Sequence, residues 1–415
     1  MKRVVVIGAG AAGTMAAIFA ASAGAETILL ERTKDGGRKI LISGGGRCNI
    51  LPARLDETRF VTDSSANTLR KIVRSWPLAE QVAFFEREAG IALVEESESV
   101  KLFPASHKAR DVRDGLLALA RSRGVSIRMD TLVTDVAQRR SGWTVSCAGA
   151  PAIDADAVIV ACGGLSVPAT GSEGAGLRIA TKLGHTVHAT YAALTPITCA
   201  PAPFASLSGV SLPVTITATA HGRSAAATGG FLFTHGGYSG PSVLDVSHIV
   251  VRSRAELDEP RARLTVRWTA HGDAEWTERL KPRGTRTAMG ALRAEMPDRL
   301  ASALLENANV SAERVLSELT RDERLRLVET LVRGVLPWTG DEGYKKAEVT
   351  GGGVSLAEVD PRTMESRRCA ELYLCGEVLD AFGPIGGYNF LWAWATGRAA
   401  GLGAARAVAR PTVAA

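Results

Sequence analysis

Glycines that close two apolar runs carry the clearest chemistry in this chain. Val4-Val5-Val6-Ile7 is followed by Gly8, Gly10 and Gly13, and Leu372-Tyr373-Leu374-Cys375 is followed by Gly376 and Glu377. The first spacing turns a buried parallel strand sharply into a helix. Gly8 makes the turn, Gly10 lets backbone N–H groups approach a pyrophosphate, and Gly13 lets the helix lie close on the strand. The helix start, with Ala12 in its first turn, presents partial positive charge to the phosphates. Glu31 closes the next apolar run about 20 residues beyond the glycines, where a carboxylate accepts hydrogen bonds from ribose hydroxyls and repels a 2′-phosphate. Arg32 follows it. Strand, helix, second strand and terminal acid together are specific in a way that the glycines alone are not. The two glycine-rich ends read as halves of one cofactor site, and a flavoprotein is the leading reading.

After Glu31 the chain runs through Gly36-Gly37-Arg38-Lys39-Ile40-Leu41-Ile42-Ser43-Gly44-Gly45-Gly46-Arg47-Cys48-Asn49. Three successive glycines are entropically costly and are kept where backbone must approach something closely. With Lys39 and Arg47 at its edges, the segment suits phosphate and passage along an isoalloxazine ring; a flexible linker is the plain alternative. Cys48 has no second thiol two residues away, so packing or backbone positioning is favoured over redox chemistry.

These residues need a frame. Residues 157–160 form another apolar run, ending in Ala161, Cys162, Gly163 and Gly164, and are expected to extend the same parallel sheet toward the cofactor. Periodicity predicts helices near 65–76, 78–89 and 108–124, and a strand pair centred on 131–137 and 143–147 that includes Val133. From about Leu194 the pattern alternates, through 213–221, 223–234 and 261–269, which predicts an antiparallel barrel or sandwich. From Glu278 it becomes helical, with Thr320 and Glu323 a capping box opening a helix over 321–333. Pro337 and Gly340 mark a boundary, and the first fold resumes near Tyr344. The expected fold class is α/β: a discontinuous Rossmann-like dinucleotide-binding domain over 1–193 and 344–415, with a β-barrel-like insert over 194–274 and a helical one over 275–343.

Bulk properties narrow the class. At 415 residues the chain exceeds one ordinary core. No apolar run reaches membrane-spanning length, and the glycine spacing argues against reading residues 1–23 as a secretory signal, because cleavage would remove the phosphate loop. A cytoplasmic location is expected. Six cysteines lack C-x-x-C or zinc-site spacing, consistent with reduced thiols and no metal. The net charge of +6 is concentrated between Arg32 and Arg74, with ten basic against four acidic residues. A solvated basic face, or one turned to cofactor phosphates, is favoured over a nucleic-acid surface.

Taken together the motifs resemble the BaiN-like flavoprotein family, which also contains enzymes labelled aminoacetone oxidases. The resemblance runs through most of the chain. It rests on Gly37-Arg38-Lys39 with Ser43 to Asn49, on Phe103-Pro104 with Ser106, Lys108 and Ala109, and on Phe233-Thr234-His235 with Ser239-Gly240-Pro241. It continues with Thr350-Gly351-Gly352-Gly353-Val354, Gly376-Glu377-Val378-Leu379-Asp380, Gly386-Gly387-Tyr388-Asn389 and Trp392-Ala393-Trp394. The family implies FAD and a two-dinucleotide-binding-domain fold with inserted domains. By matching motif, Gly8, Gly10, Ala12, Gly13, Glu31 and Arg32 would hold the ADP half. Lys39, Ser43, Gly44, Gly45, Arg47, Cys48 and Asn49 would lie along pyrophosphate and flavin. Gly376, Glu377 and Asp380 would face the ribityl region, with Val133, Ala161 and Gly163 as further contacts. Gly386, Gly387, Tyr388, Asn389 and Phe390 would open a helix toward the flavin N1 and C2 carbonyl, where its dipole favours the anionic reduced form. The chain departs from the family pattern at Phe390-Leu391 and at His107, either of which would alter substrate choice without touching FAD.

A flavin supplies the hard step, so no Ser/His/Asp set or metal cluster is required and no catalytic residue is assigned. His235 is a proton donor or a hydrogen-bonded structural histidine, the second favoured, and Tyr388 lies at the ring or packs beside Trp392 and Trp394. Three reactions stay open: NAD(P)H-dependent reduction of a polarised C=C bond in a small molecule, an amine oxidase returning electrons to oxygen, and reduction of a uridine C5=C6 bond in RNA. A small-molecule partner is expected, RNA is admitted but not favoured, and the sequence does not fix the oligomeric state. No second glycine fingerprint marks a nicotinamide domain, since Gly171, Gly174 and Gly176 have the wrong spacing. An NAD-dependent dehydrogenase would explain the N-terminal motif alone.

Overall fold

A computed structural model describes residues 3–97, 100–255 and 261–408. It divides into two compact units, Met1–Thr190 with Val349–Ala415, and Tyr191–Glu348. The first begins with β1 (Arg3–Ile7), α1 (Ala11–Ser22) and β2 (Glu26–Leu30). α2 (Arg38–Ile42), β3 (Leu51–Pro52), α3 (Ala66–Val73), α4 (Leu78–Ala83), β4 (Leu93–Glu96), β5 (Lys101–Pro104) and α5 (Ala109–Ser122) follow. β6 (Ser126–Arg128), β7 (Val133–Gln138), β8 (Trp143–Cys147), β9 (Ala150–Ala155), β10 (Ala157–Val160) and α6 (Ala175–Lys182) come next, and the chain passes into the second unit within β11 (Val187–Ala193).

The second unit carries β12 (Ile197–Thr198), β13 (Ser211–Ala220), β14 (Arg223–Thr234), β15 (Gly237–Ser239), α7 (Pro241–Ala255) and β16 (Arg263–Arg267). It continues with α8 (Asp273–Arg279), α9 (Ala288–Leu292), α10 (Asp298–Asn307), α11 (Arg321–Arg333), β17 (Gly334–Val335) and β18 (Gly340–Asp341). The chain returns through β19 (Val349–Val354), β20 (Leu372–Leu374) and α12 (Tyr388–Val408).

The first unit is built on a parallel sheet in the order β20-β10-β1-β2-β6. Val4 pairs with Ala157, and Val158 pairs with Leu372. Both faces of β1 and β10 are covered, which is why Val4, Val5, Val6 and all four residues of β10 are apolar and buried. α12 lies against α1 at unusually short range. A Cβ on Gly397 would sit 2.4 Å from the Ala12 carbonyl oxygen, and one on Gly401 2.3 Å from that of Ala16. Only glycine allows these backbones to approach so closely.

Two local departures from the periodicity have physical causes. The helix expected over 78–89 ends as α4 at Ala83, and Phe84–Glu88 forms a π-helical turn closed by Ala89 N–H to Phe84 C=O at 3.0 Å. The wider turn buries two consecutive rings, Phe84 against Trp76 and Phe85 against Trp394. The segment expected as loop over 36–49 contains α2 and a 3-10 turn, Ser43–Gly46.

In the second unit the alternating segments form one antiparallel sheet in the order β17-β16-β13-β14-β15-β12-β18. Val266 and Trp268 share a single apolar core with Trp276, Leu280 and Leu331. The core therefore runs across residues 274/275, where the sequence predicts a boundary between a β and a helical domain. The capping box is reciprocal: Glu323 N–H donates to Thr320 Oγ1 at 3.2 Å, and Thr320 N–H to Glu323 Oε2 at 2.9 Å.

Candidate functional site

The carboxyl ends of β1, β10 and β20 lie side by side, and their turns interlock. Gly8 N–H donates to Leu30 C=O at 2.8 Å, Ala161 N–H to Ile7 C=O at 2.9 Å, and Cys375 N–H to Val160 C=O at 3.1 Å. A Cβ on Gly13 would sit 1.8 Å from the Gly8 carbonyl oxygen, and one on Gly376 2.7 Å from the Ala12 Cβ. The glycine-rich ends that are far apart in sequence thus meet at Ala12. A Cβ on Gly10, in contrast, would meet nothing within 4 Å. No side chain caps α1 and its first turn has no acid. Its first closed bond is Thr14 N–H to Gly10 C=O at 3.0 Å. The N–H groups of Ala11, Ala12 and Gly13 thus belong to the uncapped, positive end of a helix beside the open space at Gly10, an arrangement that fits a dinucleotide pyrophosphate.

Glu31 makes contacts within the protein that the motif does not reveal. Its buried carboxylate accepts Ala9 N–H at 2.8 Å, Thr33 N–H at 2.8 Å and Thr33 Oγ1–H at 2.7 Å. It ties the turn after β1 to the loop after β2. Arg32 pairs with Glu173 at 2.7 Å.

Lys39 and Glu377 come together from the two ends of the unit. Lys39 Nζ lies 2.5 Å from Glu377 Oε2 and 2.6 Å from Ser166 Oγ. Glu377 Oε1 also accepts Ser166 Oγ–H at 2.6 Å, Thr350 N–H at 3.0 Å and Thr350 Oγ1–H at 2.9 Å.

In the glycine loop, Ser43 Oγ–H donates to Ile40 C=O at 2.8 Å, while Gly44 and Gly45 both take left-handed backbone. A Cβ on Gly44 would lie 3.1 Å from Asn49 N, whereas one on Gly45 would point into open space. Arg47 pairs with Glu96 at 2.8 Å and lies over the Phe103 ring at 4.4 Å. Cys48 is fully buried at φ 60°, and burial, against a weaker opposing bond from Ser43, pushes its thiol up to about 12. Such a thiol stays protonated, which supports the positional reading.

Asp380 makes several hydrogen bonds within the protein. It is 1% exposed, and its Oδ2 accepts Thr62 Oγ1–H at 2.9 Å, Asp63 N–H at 3.0 Å and Ser64 Oγ–H at 2.7 Å. Gly386 and Gly387 open α12, the latter against the backbone of Leu51, and Leu391 N–H closes on Gly387 C=O at 2.9 Å. Tyr388 packs edge-on against Phe60 at 5.6 Å, and its hydroxyl accepts Asp56 N–H at 3.2 Å. Asn389 clamps the approach to the helix, exchanging hydrogen bonds of 2.9 Å with both the N–H and the C=O of Gly383. Phe390 stacks on Trp394 at 5.3 Å. Val133 is buried at the start of β7, two residues beyond Thr131, whose N–H donates to Glu31 C=O at 2.7 Å. Gly163 faces Ser172 Oγ, 2.6 Å from where its Cβ would be. In the second unit His235 is exposed and makes no hydrogen bond within the described residues, unlike the structural histidine expected.

Ser166, Thr350 and Arg113 belong to this architecture although no motif marks the first and last. Arg113 lies under the loop after β2, its Nη1 3.3 Å from Asp35 C=O. A family signature, Thr350-Gly351-Gly352-Gly353, does contain Thr350, but nothing local points it at Glu377.

Comparison with known proteins places these features in context. The chain is 31% identical over 399 residues to the ribosomal RNA dihydrouridine synthase of Escherichia coli (strain K12), covering 94% of this chain and 95% of that protein. It is 32% identical over 412 residues to the 3-dehydro-bile acid delta(4,6)-reductase of Clostridium scindens, covering 98% and 99% respectively. Among solved structures it is similar in fold, at 16% identity and a TM-score of 0.52, to the apo Sdh1 complex of Mycobacterium smegmatis, covering 99% of this chain and 70% of that one. Residues 2–403 match the model of the HI0933-like protein Rossmann domain. On that match, over nearly its whole length, the chain belongs to the HI0933-like Rossmann-domain family of FAD-dependent oxidoreductases.

Proposed function

We propose that this chain reduces a polarised carbon–carbon double bond of a small molecule, drawing its electrons from NAD(P)H. The observation that carries the cofactor half is the turn after β1, where a helix N-terminus without a side-chain cap opens beside the unfilled space at Gly10. The relatives support the reaction half. One is named for reducing the delta(4,6) positions of a 3-dehydro-bile acid, and another for making dihydrouridine, a uridine whose ring double bond has gained two hydrogens. The two names share one chemistry, saturation of a conjugated C=C bond, on unlike substrates.

When bound, FAD supplies hydride transfer at N5. Ala11, Ala12 and Gly13 would hold the pyrophosphate with backbone N–H groups, and Glu31 would accept a ribose hydroxyl with the capacity left after three internal bonds. The first turn of α12, free of acidic side chains, would set its positive end toward the flavin's N1 edge. Phe390, stacked on Trp394, would add an apolar wall.

A second reading, reduction of uridine in RNA, is favoured by the name of the Escherichia coli relative and by the net charge of +6. The test begins with an absorption spectrum of the purified protein, repeated anaerobically with NADPH. Flavin bands that bleach, and recover on adding an unsaturated ketone, support the small-molecule reading. Recovery only with RNA supports the second, and a protein that neither carries nor takes up FAD refutes both.

A further inference from the structure

His185 is a buried histidine whose proton the surrounding hydrogen bonds assign. It lies just past α6, where the chain turns toward β11. Its Nδ1 is 3.1 Å from Ala180 C=O, which can only accept, so Nδ1 carries the hydrogen. Its Nε2 is 2.7 Å from Ser366 Oγ. That oxygen already accepts Arg368 N–H and Cys369 N–H, each at 3.0 Å, which uses both its lone pairs. The single Ser366 proton therefore goes to Nε2, and the ring is neutral in its Nδ1–H form.

A second proton on this ring has nowhere to go. An Nε2–H would point at a serine oxygen whose lone pairs are filled, and both side chains are buried from water. Burial, against a weaker opposing bond from Ala180, holds the imidazole below its ordinary pKa. The charged groups around it are already spent. Glu358, which favours the proton, accepts Thr186 N–H at 2.9 Å and Arg368 Nη2–H at 2.6 Å, and Arg368 opposes it. Lys182 of α6 pairs with Asp135 at 2.5 Å. On the loop that carries Ser366, Asp360 and Glu365 accept the N–H groups of Arg362 and Glu371, and Arg367 Nε donates to Val359 C=O at 3.2 Å. Burial raises the Cys369 thiol, which stays protonated.

We propose that His185 and Ser366 form an acid-sensitive latch on β20, closed while the ring is neutral and opened when it takes a proton. The Ser366 loop is tied to β20 on its other side. Ser366 N–H donates to Leu372 C=O at 2.7 Å, and Leu374 N–H to Met364 C=O at 3.1 Å. β20 is an edge strand of the parallel sheet and leads into Gly376. The latch thus holds the exit toward β11 to the strand that carries the second glycine-rich turn, and it does not depend on the cofactor reading.

Hydrogen exchange over residues 364–374 of the full chain, corrected for the intrinsic rate at each pH, reads the opening. The closed pKa lies below the open one, so the latch's contribution is present above roughly pH 6.5 and lost as pH falls. Protection should drop about tenfold between pH 7.5 and 5.5, the ratio set by an ordinary imidazole in the open state. Glu358, held at about 2, stays ionised over that interval. His185→Phe cannot titrate, so its protection should be lower but flat with pH; His185→Asn is scored instead if the Phe variant does not fold by circular dichroism. Wild-type protection that stays constant with pH, or a drop of equal size in the variant, would overturn the proposal. NMR of histidine labelled with nitrogen-15 checks it independently at pH 7.5. The resonance lost in the variant should report the Nδ1–H form, and a hydrogen on Nε2 would also overturn the latch.

Discussion

Replacing Glu31 with Gln should destabilise the apoprotein, before any ligand is considered. The carboxylate has one oxygen on Ala9 N–H and the other on both Thr33 donors. An amide must turn its NH2 group toward one side, and facing Ala9 sacrifices one bond where facing Thr33 sacrifices two. Ala9 is fully buried, so its N–H is left without an acceptor, at a cost of about 2 kcal/mol. For a cooperative unit of this size that corresponds to a fall in Tm of roughly 4–8 °C. Glu31→Ala gives up all three bonds and should cost about 4 kcal/mol, because Thr33 can recover part of its loss from water. The assay is thermal unfolding of flavin-stripped protein by circular dichroism, alongside FAD titration. An apoprotein Tm within about 1 °C of wild type, with only FAD affinity reduced, would refute the reasoning and return Glu31 to the role of ligand alone.

Two further outcomes follow from features remote from that carboxylate. Gly401→Ala places a Cβ 2.3 Å from the backbone oxygen of Ala16, so α12 must retreat from α1 at a cost of about 3 kcal/mol; lower apoprotein Tm together with weaker FAD binding checks it, and an unchanged Tm contradicts it. Burial would raise the Glu358 carboxyl, but hydrogen bonds from Arg368 and Thr186 outweigh it and hold the group at about 2. Its folded value lies below its unfolded one, so its contribution, up to about 3 kcal/mol, is present above roughly pH 4.5 and is lost as pH falls toward 2. Urea unfolding should find Glu358→Gln less stable than wild type at pH 7, with about three-quarters of that deficit gone at pH 2.5, whereas a constant difference across that range would sink the assignment.

Sequence legibility followed the range of the interaction. The turn after β1, the turn after β20 and the Thr320 capping box are local patterns, where residue type and spacing decide the backbone. The grouping of Lys39 with Ser166, Thr350 and Glu377 left no local trace, because its members meet only after three strands have taken their places. Glu31 shows the intermediate case: its position was legible from its distance beyond the glycines, but its hydrogen bonds to Ala9 and Thr33 depend on loop geometry that no period encodes. Asp380 belonged to a recognisable motif, but its donors Thr62, Asp63 and Ser64 come from a segment without a fingerprint. The core that crosses residues 274/275 escaped because alternation and helical period describe elements, not the partners against which they bury their faces.

The close seam between α1 and α12 also has a history in time. Ala16 is synthesised several hundred residues before Gly401, which at ribosomal rates separates them by on the order of twenty to eighty seconds. For most of that interval α1 lacks the helix that packs on it, and β20 is missing from the sheet edge beside β10. Residues 191–348, by contrast, form a continuous stretch with a core of its own, which can close while the rest is still being made. The turn after β1 is thus encoded first and assembled last, and nascent chains arrested before residue 372 should fail to retain FAD even though every glycine of that turn has left the ribosome.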